Sequence, residues 1–517
     1  MTRFLGPRPR WVVHPTLFAA AFVLSLALSN EVAPAGLVRP LLVVVAAVGA
    51  LMLLGRLLLG NRWNGALLAT GVVAVVVSPV PLAWLWFAMK GAFGAVLGTI
   101  HAAGLLIAIL GAVGIRVLQG RRRGLPIGRP TEALQVLSVV LVVAVVGANL
   151  VAHPPTARSR TVGQPVASHP DATPDIIFIL LDGYPRHDVL ARRIGVDDQP
   201  FLDGLRARGF DVADDSRSNY MQTSLTLASM FQMRYVDQIP LLQPLLGTHE
   251  GHAGALRAAA ESGLAFATLD GAGYRVLLST PGWEHATFRD AADELLDSGE
   301  LTDVEQSLLH ETWLIYLANA VTPNLFTDSL RDRIVHSFDA LDRFAKESRD
   351  HPAFLFLHVP APHLPPAVRA DGTASRLSVL LFEQSDRNGL QMTDQEYADA
   401  WDSELAYLAG RVLAGIDLLL GTAVGRNAVV VVMSDHGYQF EVRAGDAEAQ
   451  LATLFAARTP GAPDLLADAP TPVNLFPRIF NRYLGTDLES LPDRYFASDW
   501  WRPLDLVQLE LEPGEER

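Results

Sequence analysis

The sequence predicts an α/β fold with a largely parallel sheet, carried behind a five-helix transmembrane domain. Three observations predict it. The first 151 residues hold five long apolar stretches and almost no acid. From Asp175 onward, short apolar runs rich in β-branched residues alternate with segments of helical periodicity. Two of those runs stop abruptly, one at Asp182-Gly183 and one at Ser434-Asp435-His436-Gly437.

The membrane domain is taken as residues 1–151. It holds 12 Lys+Arg and 2 Asp+Glu, against 29 and 53 in the rest of the chain. Its apolar stretches run over 13–29, 37–59, 66–88, 92–115 and 133–151. Each is close to the ~20 residues a helix needs to cross a bilayer. Arg56 lies inside the second, so that span ends near it. Arg3, Arg8 and Arg10 precede the first span; Arg56 and Arg62 separate the second from the third; Arg116, Arg121, Arg122, Arg123 and Arg129 separate the fourth from the fifth. The other side has only Arg39 and Lys90 in its short loops. The positive-inside rule makes the N-terminus cytoplasmic, and five spans then put everything after Val151 outside, at the cell membrane. Ala33-Pro34-Ala35 is similar to a signal cleavage site, and cleavage there would leave the large domain on the same side.

Residues 152–174 are rich in Pro, Ala, Ser and Thr and read as a linker. A catalytic domain is expected over 175–500, with a C-terminal tail over 501–517 that frays across its polar end, 510–517. Strands are expected at Ile176–Leu181, 274–279, 354–359 and 428–433. A helix over 397–420 carries Leu405, Leu408, Val412, Ile416 and Leu419 on one face, a stripe for core packing. With no cysteine, the chain has no disulfide, no thiolate metal site and no cysteine nucleophile. The acidic large domain argues against nucleic acid as a partner.

Four elements can carry chemistry. In an open parallel sheet, ligands bind beyond the carboxyl ends of the strands. The two abrupt endings can therefore place Asp182, Asp435 and His436 around one metal ion, with donors that Zn²⁺ or Mn²⁺ accepts. Alternatively, each Asp only opens a turn after a core strand. The third element runs from Ser218 to Met230, a polar loop leading into a helix that starts near Thr223. Free N–H groups and the helix dipole there favour an anion such as phosphate; the alternative is that Thr223 serves as an N-cap. The fourth is His358-Val359-Pro360-Ala361-Pro362-His363-Leu364-Pro365-Pro366. Each proline fixes its own φ, so the loop is stiff and can hold His363 over a site.

Together these elements resemble the alkaline phosphatase superfamily, in its sulfatase-like branch. They are more closely similar to membrane-anchored phosphoglycerol and phosphoethanolamine transferases of the lipoteichoic acid synthase type. The resemblance covers roughly 175–494 and the anchor. It implies an alkaline phosphatase-like α/β sandwich. It implies that Asp182, Asp435 and His436 are metal ligands, and that Thr223 is the nucleophile with its oxygen also on the metal. It implies that His363 contacts the phosphate oxygens or the leaving group, with His358, Asn219 and Tyr184 as further substrate-binding candidates. The cofactor expected is one divalent ion, Zn or Mn first and Mg next. There is no Cys/Ser-x-Pro-x-Arg motif of the ordinary sulfatases, and no histidine follows His436, which disfavours a second metal. The activity implied is transfer of a phosphoryl-linked head group from a membrane lipid donor to a cell-envelope glycan or lipid acceptor, through a threonine intermediate. The alternatives are a membrane-anchored sulfatase-like hydrolase or phosphodiesterase, and a non-catalytic envelope membrane protein.

Overall fold

The structure, a computed structural model, describes residues 11–29, 32, 34–77, 128–152, 173–248, 252–375, 392–438 and 447–511. The expected span over 92–115, residues 78–88 of the expected third span and most of the linker over 152–174 lie outside the described residues. The chain divides into two compact units. One comprises 1–155 together with 303–323, and the other 156–302 with 324–517.

The principal elements follow in chain order. The first unit opens with α1 (His14–Ser29), α2 (Val38–Leu59), α3 (Arg62–Val76) and α4 (Gly128–Ala152). They fall on four of the expected stretches, of which 66–88 is described only as far as residue 77. Among the described residues, however, only Pro34–Leu59 is both long and apolar enough to cross a membrane; 14–28, 62–76 and 132–148 are shorter apolar helices. A five-helix membrane domain is therefore not established by the fold. Physical breaks set the ends of α2 and α3. Gly60 takes φ 77° after α2, and the Asn61 side chain accepts the Asn64 N–H at the start of α3.

The second unit contributes β1 (Ile176–Leu181), β2 (Asp211–Val212), α5 (Thr223–Gln232), β3 (Arg275–Ser279) and β4 (Glu294–Leu296). The chain then enters the first unit as α6 (Asp303–His310) and α7 (Leu314–Val321). It returns as α8 (Leu325–Lys346), β5 (Ala353–Val359), α9 (Asp394–Leu420), β6 (Val429–Met433), β7 (Phe455–Arg458), α10 (Pro472–Tyr483), β8 (Tyr495–Asp499) and β9 (Arg502–Leu509). Thr393 and Glu396 form a capping box at the start of α9, which fixes where that helix begins.

Seven strands form one sheet in the order β2-β7-β6-β1-β5-β3-β4. The pairs among β6, β1, β5, β3 and β4 are parallel, and β7 is antiparallel to both its neighbours. Successive side chains of β1 point to opposite faces. Ile177, Ile179 and Leu181 join a core with Trp401, Leu405, Leu408, Val412 and Ile416 of α9. Ile176, Phe178 and Leu180 join another with Phe231 of α5 and Phe476 of α10. A strand buried on both faces must be apolar throughout, which is why β1, β5 and β6 show as continuous apolar runs. The segment 501–517, expected as a tail, instead carries β9, which pairs antiparallel with β8 and sends Leu504 into the core.

Candidate metal and nucleophile site

The sheet register builds the site. Leu181 of β1 lies beside Val359 of β5, and Leu180 beside Met433 of β6. The residues that follow these three strands therefore emerge side by side. The Asp182 N–H donates to Val359 O at 3.0 Å, extending the ladder by one residue. The Gly183 N–H donates to Asp435 Oδ1 at 3.2 Å, and the Tyr184 N–H to Ser434 Oγ at 2.8 Å. Ser434 donates in turn to His436 O at 2.7 Å, so one hydroxyl ties the two turns together. Gly183 has φ +69°, and a Cβ there would sit 3.1 Å from His436 Cε1. The turn needs glycine both for its backbone and for the space.

Asp182 and Asp435 are completely buried. Asp182 Oδ2 lies 2.7 Å from His358 Nε2, and Asp182 Oδ1 lies 3.4 Å from His436 Nε2. His436 Nε2 is also 3.7 Å from Asp435 Oδ2. His436 Nδ1 is 2.9 Å from Gly437 O, to which it donates, so Nε2 is turned toward the two carboxylates. Asp182 Oδ1 and Asp435 Oδ2 are buried without a hydrogen-bond partner. Ligand atoms of Asp182, His358 and Asp435 all lie within 4.8 Å of one another. Two buried carboxylates with unpartnered oxygens, beside an imidazole whose Nε2 is turned toward them, fit a divalent cation of the N/O-binding kind. Protonation answers to the same charge. Burial would raise Asp182, but the hydrogen bond from His358 and the nearby His436 ring hold it far below the usual carboxylate range. Burial disfavours charged His436, yet the Asp435 and Asp182 carboxylates outweigh it and lift its pKa to about 9.

Thr223 is the first residue of α5, and the residue before it, Gln222, is the N-cap. The Gln222 side chain does not cap the helix; it donates to Ser498 Oγ at 3.0 Å. Thr223 is therefore not the cap that the sequence left open. It is nearly buried, and its hydroxyl makes no hydrogen bond among the described residues. One turn on, Thr226 Oγ1 donates to Asp435 O at 3.0 Å, which pins the start of α5 to the turn bearing Asp435 and His436.

His363 is half-buried, with Nδ1 3.0 Å from Leu364 O and its ring 6.4 Å from that of His436. Burial keeps its pKa below the ordinary value, so the ring is neutral at pH 7. The other expected substrate contacts sit differently. His358 is fully buried and bonded to Asp182, among the possible ligands and away from solvent. Asn219 is fully buried; its amide donates to Arg494 O and accepts from the Val473 N–H, a brace between loops. Tyr184 is buried with its hydroxyl 3.0 Å from Asp198 Oδ2, part of the core. Sequence reasoning passed over Trp283 and His285. The Trp283 ring lies 5.0 Å from His363, 6.1 Å from His358 and 6.1 Å from His285. Both follow the carboxyl end of β3, a neighbour of β5, so following that strand to its end would have found them.

The loop bearing His363 is fastened by Glu404 of α9. Glu404 Oε1 accepts the Ala367 N–H at 2.8 Å and the Val368 N–H at 3.2 Å. Burial raises its pKa from 4.5 to about 8, only partly offset by those two donors. Between those pH values the native state keeps a proton that the unfolded chain has lost. The associated stability is full below ~4.5 and is lost as pH rises through ~8, at a slope of at most ~1.4 kcal/mol per pH unit. Glu404→Gln keeps the acceptor and removes the titration. Thermal melts from pH 5 to pH 9 should show a shallower decline for the variant than for the parent. Equal declines would mean that Glu404 is ionised throughout.

No protein-family model matches the sequence, and no curated protein matches it. Similar solved structures include the C-terminal periplasmic domain of EcEptC from Escherichia coli in complex with Zn, 10% identical with a TM-score of 0.44 over 68% of this chain and 96% of that one. The lipoteichoic acid synthase LtaP from Listeria monocytogenes is 13% identical with a TM-score of 0.37, over 63% and 76%. A putative sulfatase from Bacteroides thetaiotaomicron is 12% identical with a TM-score of 0.43, over 63% and 77%. The functional reading rests on the side chains and not on these likenesses.

Proposed function

We propose that the chain is a metal-dependent enzyme that transfers a phosphoryl-linked head group from a membrane lipid to a cell-envelope glycan or lipid acceptor. One observation carries the reading. A buried carboxylate pair with unpartnered oxygens lies against a helix whose first residue, Thr223, offers an unbonded hydroxyl. Asp182, Asp435 and His436, with the Thr223 oxygen, would hold one divalent ion, Zn or Mn by their donor types and Mg next. When bound, such an ion stabilises charge on phosphoryl oxygens and lowers the pKa of an alcohol. The free N–H groups at the start of α5 favour the phosphate at the same place. The Thr223 oxygen forms a bond to phosphorus as the bond to the lipid alcohol breaks, and the hydroxyl proton ends on the departing lipid oxygen, leaving a phosphothreonine diester. Neutral His363 is suited to hydrogen-bond the phosphate oxygens or the departing oxygen. The acceptor hydroxyl then displaces Thr223, which is restored.

The proposed setting is a multi-pass anchor of five spans with the catalytic unit outside the cytoplasm. The arginine distribution supports it, and protease added to intact spheroplasts should digest the catalytic unit. Complete protection would reverse the topology. The chemistry is tested by incubating the full chain in vesicles of phosphatidylglycerol and phosphatidylethanolamine with Mn²⁺ or Zn²⁺, quenching, and mapping peptides by mass spectrometry. A glycerophosphoryl or phosphoethanolamine mass on Thr223 is expected. Turnover with no adduct at Thr223 would overturn the covalent path. An adduct that discharges only to water would make the protein a hydrolase.

A further inference from the structure

The segment 303–323 interrupts the α/β unit in sequence but packs with the apolar helices of the first unit. Its contacts there share one end of those helices. Val304 is buried with Ala27, Val32 and Leu37, at the passage from α1 to α2. Glu305 forms an ion pair with Arg39, in the first turn of α2. The Trp313 N–H donates to Val76 O, the last residue of α3, at 3.0 Å. Because α2 and α3 are joined by a tight turn at their opposite ends, these contacts all cap the same end of the bundle.

α7 then presents apolar side chains at the surface. Tyr316, Leu317 and Val321 are 63%, 61% and 72% exposed, and Trp313 is 41% exposed with its ring 5.4 Å from that of Tyr316. No charged residue occurs between Glu311 and Asp328. A large exposed apolar face on a short uncharged helix calls for a non-aqueous neighbour. Trp and Tyr are the side chains that settle at the head-group level of a bilayer, with an apolar body and a polar tip. The face is also continuous in kind with α2, whose Leu42, Val43, Leu53, Leu54, Leu57 and Leu58 are exposed along a helix of 22 residues, about 33 Å.

We infer that α6 and α7 form an interfacial anchor, with α7 lying in the bilayer surface and Trp313, Tyr316, Leu317 and Val321 embedded among lipid head groups and upper acyl chains. The inference rests on the proposed membrane insertion of the first unit. The absence of cysteine makes the test direct. Leu317→Cys and, as a reference on α2, Leu54→Cys are labelled with an environment-sensitive nitrobenzoxadiazole probe and reconstituted in phosphatidylcholine–phosphatidylglycerol vesicles. Each is challenged with shallow spin-labelled lipid and with aqueous iodide. Lipid quenching at position 317 within about twofold of that at position 54, with shielding from iodide, is expected. Lipid quenching at 54 with only iodide quenching at 317 would overturn the anchor while leaving the membrane reading intact. Shielding of 317 from both quenchers would show a second copy or another protein on the face, and would also overturn it. No lipid quenching at either position would remove the membrane reading, and the anchor with it.

Discussion

Thr223→Ala is expected to lower phosphodiester turnover by roughly 10³-fold or more while leaving the fold and the metal content nearly unchanged. The hydroxyl is the proposed attacking group, and the Thr226 hydroxyl of the same turn is already engaged with Asp435 O. Stability should hold because Thr223 does not cap its helix: Gln222 is the N-cap and makes no side-chain capping bond. Alanine is also at least as good a helix former at that position. Asp182, Asp435 and His436 remain to hold the ion. Thr223→Ser keeps a hydroxyl on the same carbon and should retain part of the activity. The measurements are turnover, metal content and thermal melts for both variants. An alanine variant that turns over like the parent would sink the covalent mechanism, and an alanine variant that melts far below it would make Thr223 a structural residue.

Asp435→Asn should abolish both metal retention and activity. The variant is nearly isosteric and can still accept the Gly183 N–H through its amide oxygen, a bond of 3.2 Å in the parent. It loses the charge that offsets a divalent cation, at a carboxylate whose second oxygen is buried without a partner. Binding to the native state alone stabilises the parent by about 2.7 kcal/mol when free metal is a hundred times Kd. At ~2.1 cal/mol/K of unfolding entropy per residue, a unit of this size would gain about 4 °C in Tm. The parent should therefore lose several degrees on chelation, and the Asn variant should not respond. In the absence of metal the variant should melt no lower than the parent, because a buried, incompletely paired negative charge has been removed. Elemental analysis and melts with and without chelator decide it. A chelator response that survives in the variant would place the ion elsewhere.

What the sequence disclosed follows from burial. β1, β5 and β6 are covered on both faces and had to be apolar from end to end, so they were readable to within a residue. β2 and β4 are edge strands of two and three residues, and β7 is built on Ala456 and Ala457, so none carries a periodic signal. β9 mixes Arg502, Pro503 and Asp505 with its apolar residues, the composition of an exposed strand that reads as a tail. The site divides in the same way. Asp182, Asp435 and His436 lie where strands end, a position that sequence marks clearly. Tyr184 and Asn219 have side chains of the right chemistry near the right motifs, but their polar groups are occupied by Asp198, Arg494 and Val473. No local pattern announces such partners. Trp283 and His285 were hidden behind Thr280-Pro281-Gly282, which reads as a turn leading away from the sheet.

The strand order also governs when the protein can become active. The central strand β1 emerges early, but its partners are Phe354 and Val429 and their neighbours, and Gly183 and Asp435 are 252 residues apart. Such long-range pairing is slow, since a large loop must close before any contact rewards it. A nascent chain that stops short of β6 has one of the two carboxylates and an unpaired apolar edge, the kind of intermediate that aggregates. A metal at the proposed site could therefore not act as an early folding template. It would arrive at a finished sheet, and any truncation before residue 429 removes Asp435 and His436 outright, however much of the chain has already folded.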